Sequence, residues 1–228
     1  MTMLTKKVPD YWKKFWMLRS GDWNKAYFKT IHHPHRDKLF GILKKLKFGS
    51  LLEIGCNSAP NLYRAKKEFP NVKLAGIDIC EDAIKEAIKF LPEADLRVGM
   101  AERLPFDDES YDIVLSDAVM MYFDYYEIEQ CLKEIKRVGK KYLLLCEPQI
   151  PENEMMGNYY GRDYEELLKD FGFEVLKVKN VLKKDWDSDE LWSKYGKYIL
   201  AEKKVCPQSR ICPLKKEKCD KCNPTCYL

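Results

Sequence analysis

The sequence predicts an α/β protein built around a doubly wound sheet. Short apolar runs that read as strands alternate with amphipathic helical stripes from about residue 38 to residue 204. Two of the early runs, Leu51–Ile54 and Val72–Ile79, carry an acid at their carboxyl ends, each followed by a turn and a new helix. At 228 residues the chain is long enough for one core of ordinary size with appendages.

The elements follow in order. Met1 to Arg36 precede the first strand and are rich in aromatics, with Tyr11, Trp12, Phe15, Trp16, Trp23 and Tyr27 spaced for one or two helices lying on the sheet. All three histidines fall in His32-His33-Pro34-His35, followed by Arg36. Pro34 is expected to interrupt helix there, so a metal site is disfavoured, and a hinge presenting an imidazole to a cleft competes with an ordinary turn. Asp37 to Leu46 form a helix with Leu39, Phe40, Leu43 and Leu46 on one face. Asn61 to Phe69 make the next helix. Ala83, Ile84, Ala87, Ile88 and Leu91 stripe another, with Glu81 and Asp82 serving its start. Asp95–Val98, Tyr111–Leu115 and Lys141–Pro148 are strands, the last two separated by a helix with Ile128, Cys131, Leu132, Ile135 and Val138 facing the core. Asp163 to Phe171 is a helix closed by Gly172, and Phe173–Val178 and Tyr198–Glu202 are the final strands.

Leu51-Leu52-Glu53-Ile54-Gly55-Cys56-Asn57-Ser58-Ala59-Pro60-Asn61 is the organising stretch. A covered strand runs into a turn at Gly55, where the backbone can approach a ligand, and then into a helix amino terminus. Open α/β sheets bind nucleotides at such strand ends. Asp78 lies 23 positions after Gly55, the offset at which an acid reaches ribose hydroxyls. Then comes Ala101-Glu102, Leu104-Pro105-Phe106, an acidic turn, and Tyr111-Asp112-Ile113-Val114 running on to Ser116-Asp117.

These motifs, in this order, resemble the class I S-adenosylmethionine-dependent methyltransferases over about residues 38 to 204. The first motif of that superfamily has three glycines. Here Gly55 is kept, and Asn57 and Ala59 hold the other two positions. The resemblance implies a Rossmann-like seven-stranded sheet, mostly parallel with an antiparallel last strand. It also implies S-adenosylmethionine bound by Glu53, Gly55, Cys56, Asn57, Asp78, Ile79, with Ala101 and Glu102 near the adenine and Ser116 and Asp117 under the reacting methyl. Residues 1–37 either simply pack on the sheet or form a helical lid, the lid reading taking Tyr27 and Arg36 as acceptor contacts and His33, His35 and Tyr122 as candidate catalytic groups. Methyl transfer needs mainly a positioned nucleophile and exclusion of water, so the acceptor is weakly encoded.

Some acceptors are disfavoured. Enzymes acting on exocyclic amines of bases carry Asn/Asp-Pro-Pro-aromatic after the fourth strand, where this chain has Ser116-Asp117-Ala118-Val119, and no Pro-Cys pair of the cytosine-C5 type occurs. A small-molecule acceptor is expected. RNA or protein methylation through a docking tail, a non-catalytic cofactor-binding protein, and a nicotinamide oxidoreductase are the rivals. The apolar runs are too short to span a membrane, and Met1 to Trp12 lack a secretion-signal core, so a cytoplasmic protein is expected.

Of nine cysteines, five crowd into residues 205–228: Cys206, Cys212, Cys219, Cys222 and Cys226. This tail also carries most of the net charge of +4, leaving a nearly neutral body that argues against a dedicated nucleic-acid surface there. Clustered thiols around a Cys-x-x-Cys pair suit a structural metal, zinc ahead of an iron–sulfur cluster, with a free or disulfide-linked tail as the rival reading.

Overall fold

The computed structural model describes residues 11–19, 21–151, 159–186 and 189–204. Seven strands form a single sheet in the order β3-β2-β1-β4-β5-β7-β6. The strands are β1 (Ser50–Ile54), β2 (Lys73–Asp78), β3 (Asp95–Val98), β4 (Tyr111–Asp117), β5 (Gly139–Pro148), β6 (Phe173–Asn180) and β7 (Gly196–Lys203). The first five are parallel, and β7 inserts between β5 and β6, antiparallel to both. This is the sheet expected from the sequence. β1 is central and every one of its five residues is buried, as its unbroken apolar run requires.

Helices cover both faces. Leu39, Phe40 and Leu43 of α3 (Pro34–Leu43), Leu62 and Ala65 of α4 (Pro60–Glu68) and Ile84 and Ala87 of α5 (Glu81–Phe90) pack into one core layer. Ile128, Cys131, Leu132 and Ile135 of α6 (Tyr125–Val138) and Leu168 of α7 (Tyr164–Asp170) build the other. Each buried Leu, Ile or Phe among them contributes about 1.5–3 kcal/mol. Asp124 caps α6, accepting from the Glu127 amide at 2.8 Å while the Glu127 side chain accepts from the Asp124 amide at 2.8 Å. Two short helices, α1 (Tyr11–Met17) and α2 (Asp22–Phe28), lie before the sheet, and α8 (Glu190–Tyr195) precedes β7.

One local expectation is corrected. Pro34 does not interrupt a helix; it starts α3, three residues before the expected Asp37. In the first turn of a helix a missing N–H leaves no bond unmade, and the ring holds φ where the helix needs it.

The turn after β1 also shows how the sheet tolerates lost glycines. Asn57 and Ala59 both adopt left-handed backbone, with φ of 49° and 61°. The chain therefore keeps the conformation glycine would favour while placing side chains there. Ala59 is buried in the core, and the burial of its one methyl group is set against a conformation that costs an L-residue about 1–2 kcal/mol. Ala59→Gly should stabilise the protein by about 0.5–1 kcal/mol once the entropy of the unfolded chain is counted. Urea denaturation measures this, and a loss of stability would show that the methyl group is needed for packing.

Candidate active site

The carboxyl ends of β1, β2 and β4 converge where the strand order reverses, and the site is built there. The amides of Gly55 and Cys56 both donate to the Ile77 carbonyl, at 2.8 and 3.0 Å, tying the turn to β2. Asp78 completes the cradle. Its Oδ2 accepts from the Asn57 amide and its Oδ1 from the Cys80 amide, each at 2.8 Å. Gly55 sits at φ 67°, and a Cβ there would lie 2.3 Å from Cγ2 of Val119 in the loop after β4. A side chain at this position would therefore force apart the two loops that meet at the cradle.

Behind the cradle lies a buried polar network. The Arg36 guanidinium donates through Nη1 to Asn61 Oδ1 at 2.8 Å and Asp117 Oδ2 at 2.9 Å, and through Nε and Nη2 to the carbonyl and hydroxyl of Thr30 at 2.9 and 2.8 Å. His35 Nε2 lies 3.0 Å from the same Asp117 oxygen. Asn61 Nδ2 donates to Asp117 Oδ2 at 2.9 Å and to Glu53 Oε1 at 2.7 Å. Burial alone would raise the Asp117 carboxyl, but His35, Arg36 and Asn61 outweigh it and hold it well below the usual carboxylate range. Its other oxygen, Oδ1, has no hydrogen-bond partner. Glu53 behaves oppositely. Burial pushes it up to about 8, aided by the charge of Asp117 and opposed by Asn61, so it is protonated at neutral pH.

The cradle opens into a cavity of about 660 Å³, within the range of small-ligand sites. Gly55, Asn57, Asp78, Ile79, Ala101 and Glu102 line one part of it. The N-terminal helices and the loop after β4 supply an aromatic wall. Trp12 packs on Tyr122 with ring centres 4.7 Å apart, Trp16 on Tyr122 at 5.4 Å, Trp16 on Trp23 at 5.5 Å, and Trp23 on Tyr27 at 5.1 Å. All five rings face the cavity. Lys13 fastens α1 across it, 2.7 Å from Glu102 Oε1 and 2.5 Å from Glu127 Oε1.

Of the residues singled out from sequence, Tyr27, Asp117 and Tyr122 also line the cavity. Glu53, Cys56 and Ser116 do not. Cys56 is buried in the core, and Ser116 donates to Glu147 Oε1 at 2.9 Å. His33, His35 and Arg36 also lie outside the cavity lining. His35 and Arg36 are buried behind Asp117, and His33 Nδ1 lies 2.5 Å from His35 Nδ1. The sequence reading missed three residues that shape the site. Glu147, wholly buried, accepts from the amides of Val119, Met120 and Met121 at 2.9–3.3 Å and so sets the loop carrying Tyr122. Its only sequence signal is an acid at the carboxyl end of an apolar strand. Asn61 joins Glu53, Arg36 and Asp117, and Lys13 bridges 89 residues to Glu102. The five tail cysteines lie outside the described residues, and among the described residues no cluster of three metal-ligating side chains occurs. No helix of the described residues is long and apolar enough to cross a membrane.

The elevated Glu53 carboxyl makes stability depend on pH. In the unfolded chain a glutamate ionises near 4.3, whereas folded Glu53 stays protonated up to about 8. Unfolding therefore releases a proton between those values, and this group's contribution to stability is lost as pH rises through that window. Glu53→Gln, which cannot ionise, should gain stability relative to the parent between pH 5 and pH 8. Denaturant melts at both pH values would show the difference, and a constant gap would reject the assignment.

Residues 52–144 match the family described as "Methyltransferase domain". Over 112 residues the chain is 31% identical to a demethylmenaquinone methyltransferase from Chlorobaculum tepidum, covering 47% of this chain and 45% of that protein. The chain thus spans about half the length of the curated relatives it matches. A protein of known structure from Pyrococcus horikoshii superposes with a TM-score of 0.61 at 19% identity, covering 78% of this chain and 91% of the other. A SAM-dependent methyltransferase from Methanosarcina mazei superposes at 0.58 with 22% identity, covering 72% and 97%. With the motif-bearing strands, the reversed strand order and the antiparallel β7 all in place, residues 52–144 match the methyltransferase-domain family and the sheet has the Rossmann-like methyltransferase fold.

Proposed function

We propose that this chain transfers a methyl group from S-adenosylmethionine to a small-molecule acceptor. The observation that carries this reading is a single cavity in which the cradle of Gly55, Asn57 and Asp78 faces an aromatic wall. The residues fit the cofactor. The backbone at Gly55 is bare, and Asp78 keeps acceptor capacity beyond its two amide bonds, since a carboxylate offers about four lone-pair sites. Asp78 would hold the ribose, Ala101 and Glu102 the adenine, and the turn at Gly55 the methionine part. When bound, S-adenosylmethionine supplies an electrophilic methyl group on a positively charged sulfur.

The chain's own groups then orient and enclose. The N-terminal segment covers the site, and Lys13 holds α1 closed through Glu102 and Glu127. Tyr27 and Tyr122, which line the cavity, would contact the acceptor, whereas His35 and Arg36 would act through Asp117. Excluding water and fixing the approach of the nucleophile is the main protein contribution to such a displacement. The name of the Chlorobaculum relative, which specifies a small acceptor, supports the small-molecule reading.

Asp78→Ala should weaken binding of S-adenosylhomocysteine by about 1.5–3 kcal/mol, the range for losing hydrogen bonds to a charged group. Calorimetry measures it, with circular dichroism confirming an intact fold. Unchanged affinity would remove Asp78 from the cofactor site.

The cysteine tail carries a separate proposal. Cys219 and Cys222, with Cys226 and either Cys212 or Cys206, would supply four thiolates to a structural ion, with zinc favoured over an iron–sulfur cluster. After anaerobic purification, elemental analysis should find about one zinc per chain. Five freely titrating thiols with neither zinc nor iron would reject it.

A further inference from the structure

We propose that the acceptor is a planar molecule presenting an uncharged nitrogen to the methyl donor and bearing no anionic group; this rests on the methyltransferase reading above. Three features of the cavity carry it. The first is charge. Asp78, Glu102, Asp117, Asp124 and Glu127 line the cavity, whereas Lys13 is the one cationic residue lining it among the described residues. Lys13 is already spent on Glu102 and Glu127. Arg36 sits behind Asp117, and Arg19 lies over the rings of Phe15 and Trp23, 4.2 and 4.8 Å from their centres. A carboxylate or phosphate entering this space would lose its hydration among like charges, with the one lining cation of the described residues already paired.

The second feature is the wall. Trp12, Trp16, Trp23, Tyr27 and Tyr122 form a continuous run of ring contacts along the cavity. Ring faces accept a flat partner by offset stacking and attract a cation through their quadrupole.

The third is that the lining carboxylates other than Asp117 among the described residues are already engaged: Asp78 by two amides and, in the proposed complex, the ribose, Glu102 and Glu127 by Lys13, and Asp124 by the Glu127 amide. Asp117 is held strongly acidic, Tyr27 is pushed up to about 12, Tyr122 is raised further still by burial, and the histidines lie outside the lining. A hydroxyl acceptor needs its proton removed as the bond forms. A neutral nitrogen does not. Its lone pair makes the new N–C bond while the C–S bond breaks with its electrons remaining on sulfur, and the positive charge passes from sulfur to nitrogen. Where that nitrogen carries hydrogen, a proton leaves to water afterwards. Carboxylates and ring faces stabilise the cation before and after transfer, so the same walls serve both ends of the step.

The test uses three flat bicyclic probes with the full-length protein saturated with S-adenosylhomocysteine: 1-methylquinolinium, 2-naphthol and 2-naphthoate. Calorimetry should show 1-methylquinolinium binding at least tenfold tighter than 2-naphthoate. With S-adenosylmethionine bearing a labelled methyl, quinoline should be methylated and 2-naphthol should not. Naphthoate binding within threefold of methylquinolinium, failure of methylquinolinium to bind, or absence of transfer to quinoline would each overturn the proposal. Failure of S-adenosylhomocysteine itself to bind would instead sink the methyltransferase reading, so the two failures are distinguishable.

Discussion

The guanidinium of Arg36 against the carboxylate of Asp117, both buried, is the interaction on which the site's geometry depends. Arg36 opens α3 and reaches in three directions: to Thr30 in the segment before it, to Asn61 at the start of α4, and to Asp117 at the end of β4. A planar fork with several fixed donors can do this, and a lysine ammonium on a flexible stem cannot. The pair need not add net stability over an apolar replacement. Removing one partner alone, however, would strand the other charge in the interior at a cost of about 3–5 kcal/mol. The N-terminal segment is thereby tied to one position over the sheet. The aromatic wall carried by α1 and α2 inherits that register.

Much of the fold was legible because it rests on local, one-dimensional signals. β1 and β4 are buried on both faces, so their apolar runs are uninterrupted, and Gly55 and Asp78 stand at offsets fixed by one strand–helix–strand unit. What could not be read was the direction in which side chains point across long sequence separations. His33, His35 and Arg36 sit together in sequence and look like a cleft-facing group. Starting α3 at Pro34 instead turns His35 and Arg36 inward, to the far side of Asp117 from the cavity. No pattern in the chain announces that Lys13 meets Glu102, or that Glu147 organises the loop at Val119–Met121. These contacts exist because packed elements bring their carriers together.

The turn after β1 separates what a motif spells from what it does. Counting glycines suggests a damaged loop, since Asn57 and Ala59 stand where the superfamily has glycine. The backbone contradicts the count, because both residues take positive φ and the amides of Gly55, Cys56 and Asn57 are all bonded to β2. Asparagine tolerates this conformation better than most residues, and here its Oδ1 also accepts from the Ser58 amide at 2.7 Å. Only at Gly55 does a neighbour forbid a side chain outright. All three positions thus ask for left-handed backbone, and only Gly55 adds a steric bar to a side chain.

Three buried acids, Glu53, Asp78 and Asp117, occupy this small region, and like charges so placed should repel. The structure accommodates them by three different means. Glu53 keeps its proton, Asp78 is held by the amides of Asn57 and Cys80, and Asp117 is matched by Arg36, His35 and Asn61. Neutralising Glu53 by protonation leaves Asp78 and Asp117 as the carboxylates lining the cavity at the ends of β2 and β4. Asp117 in particular concentrates its donors on Oδ2 and leaves Oδ1 bare. An anion fixed in this way is already oriented and dehydrated before any ligand arrives. A positively charged donor then meets negative potential without reorganisation of the protein, which is the condition under which buried electrostatics act most strongly on a bound cation.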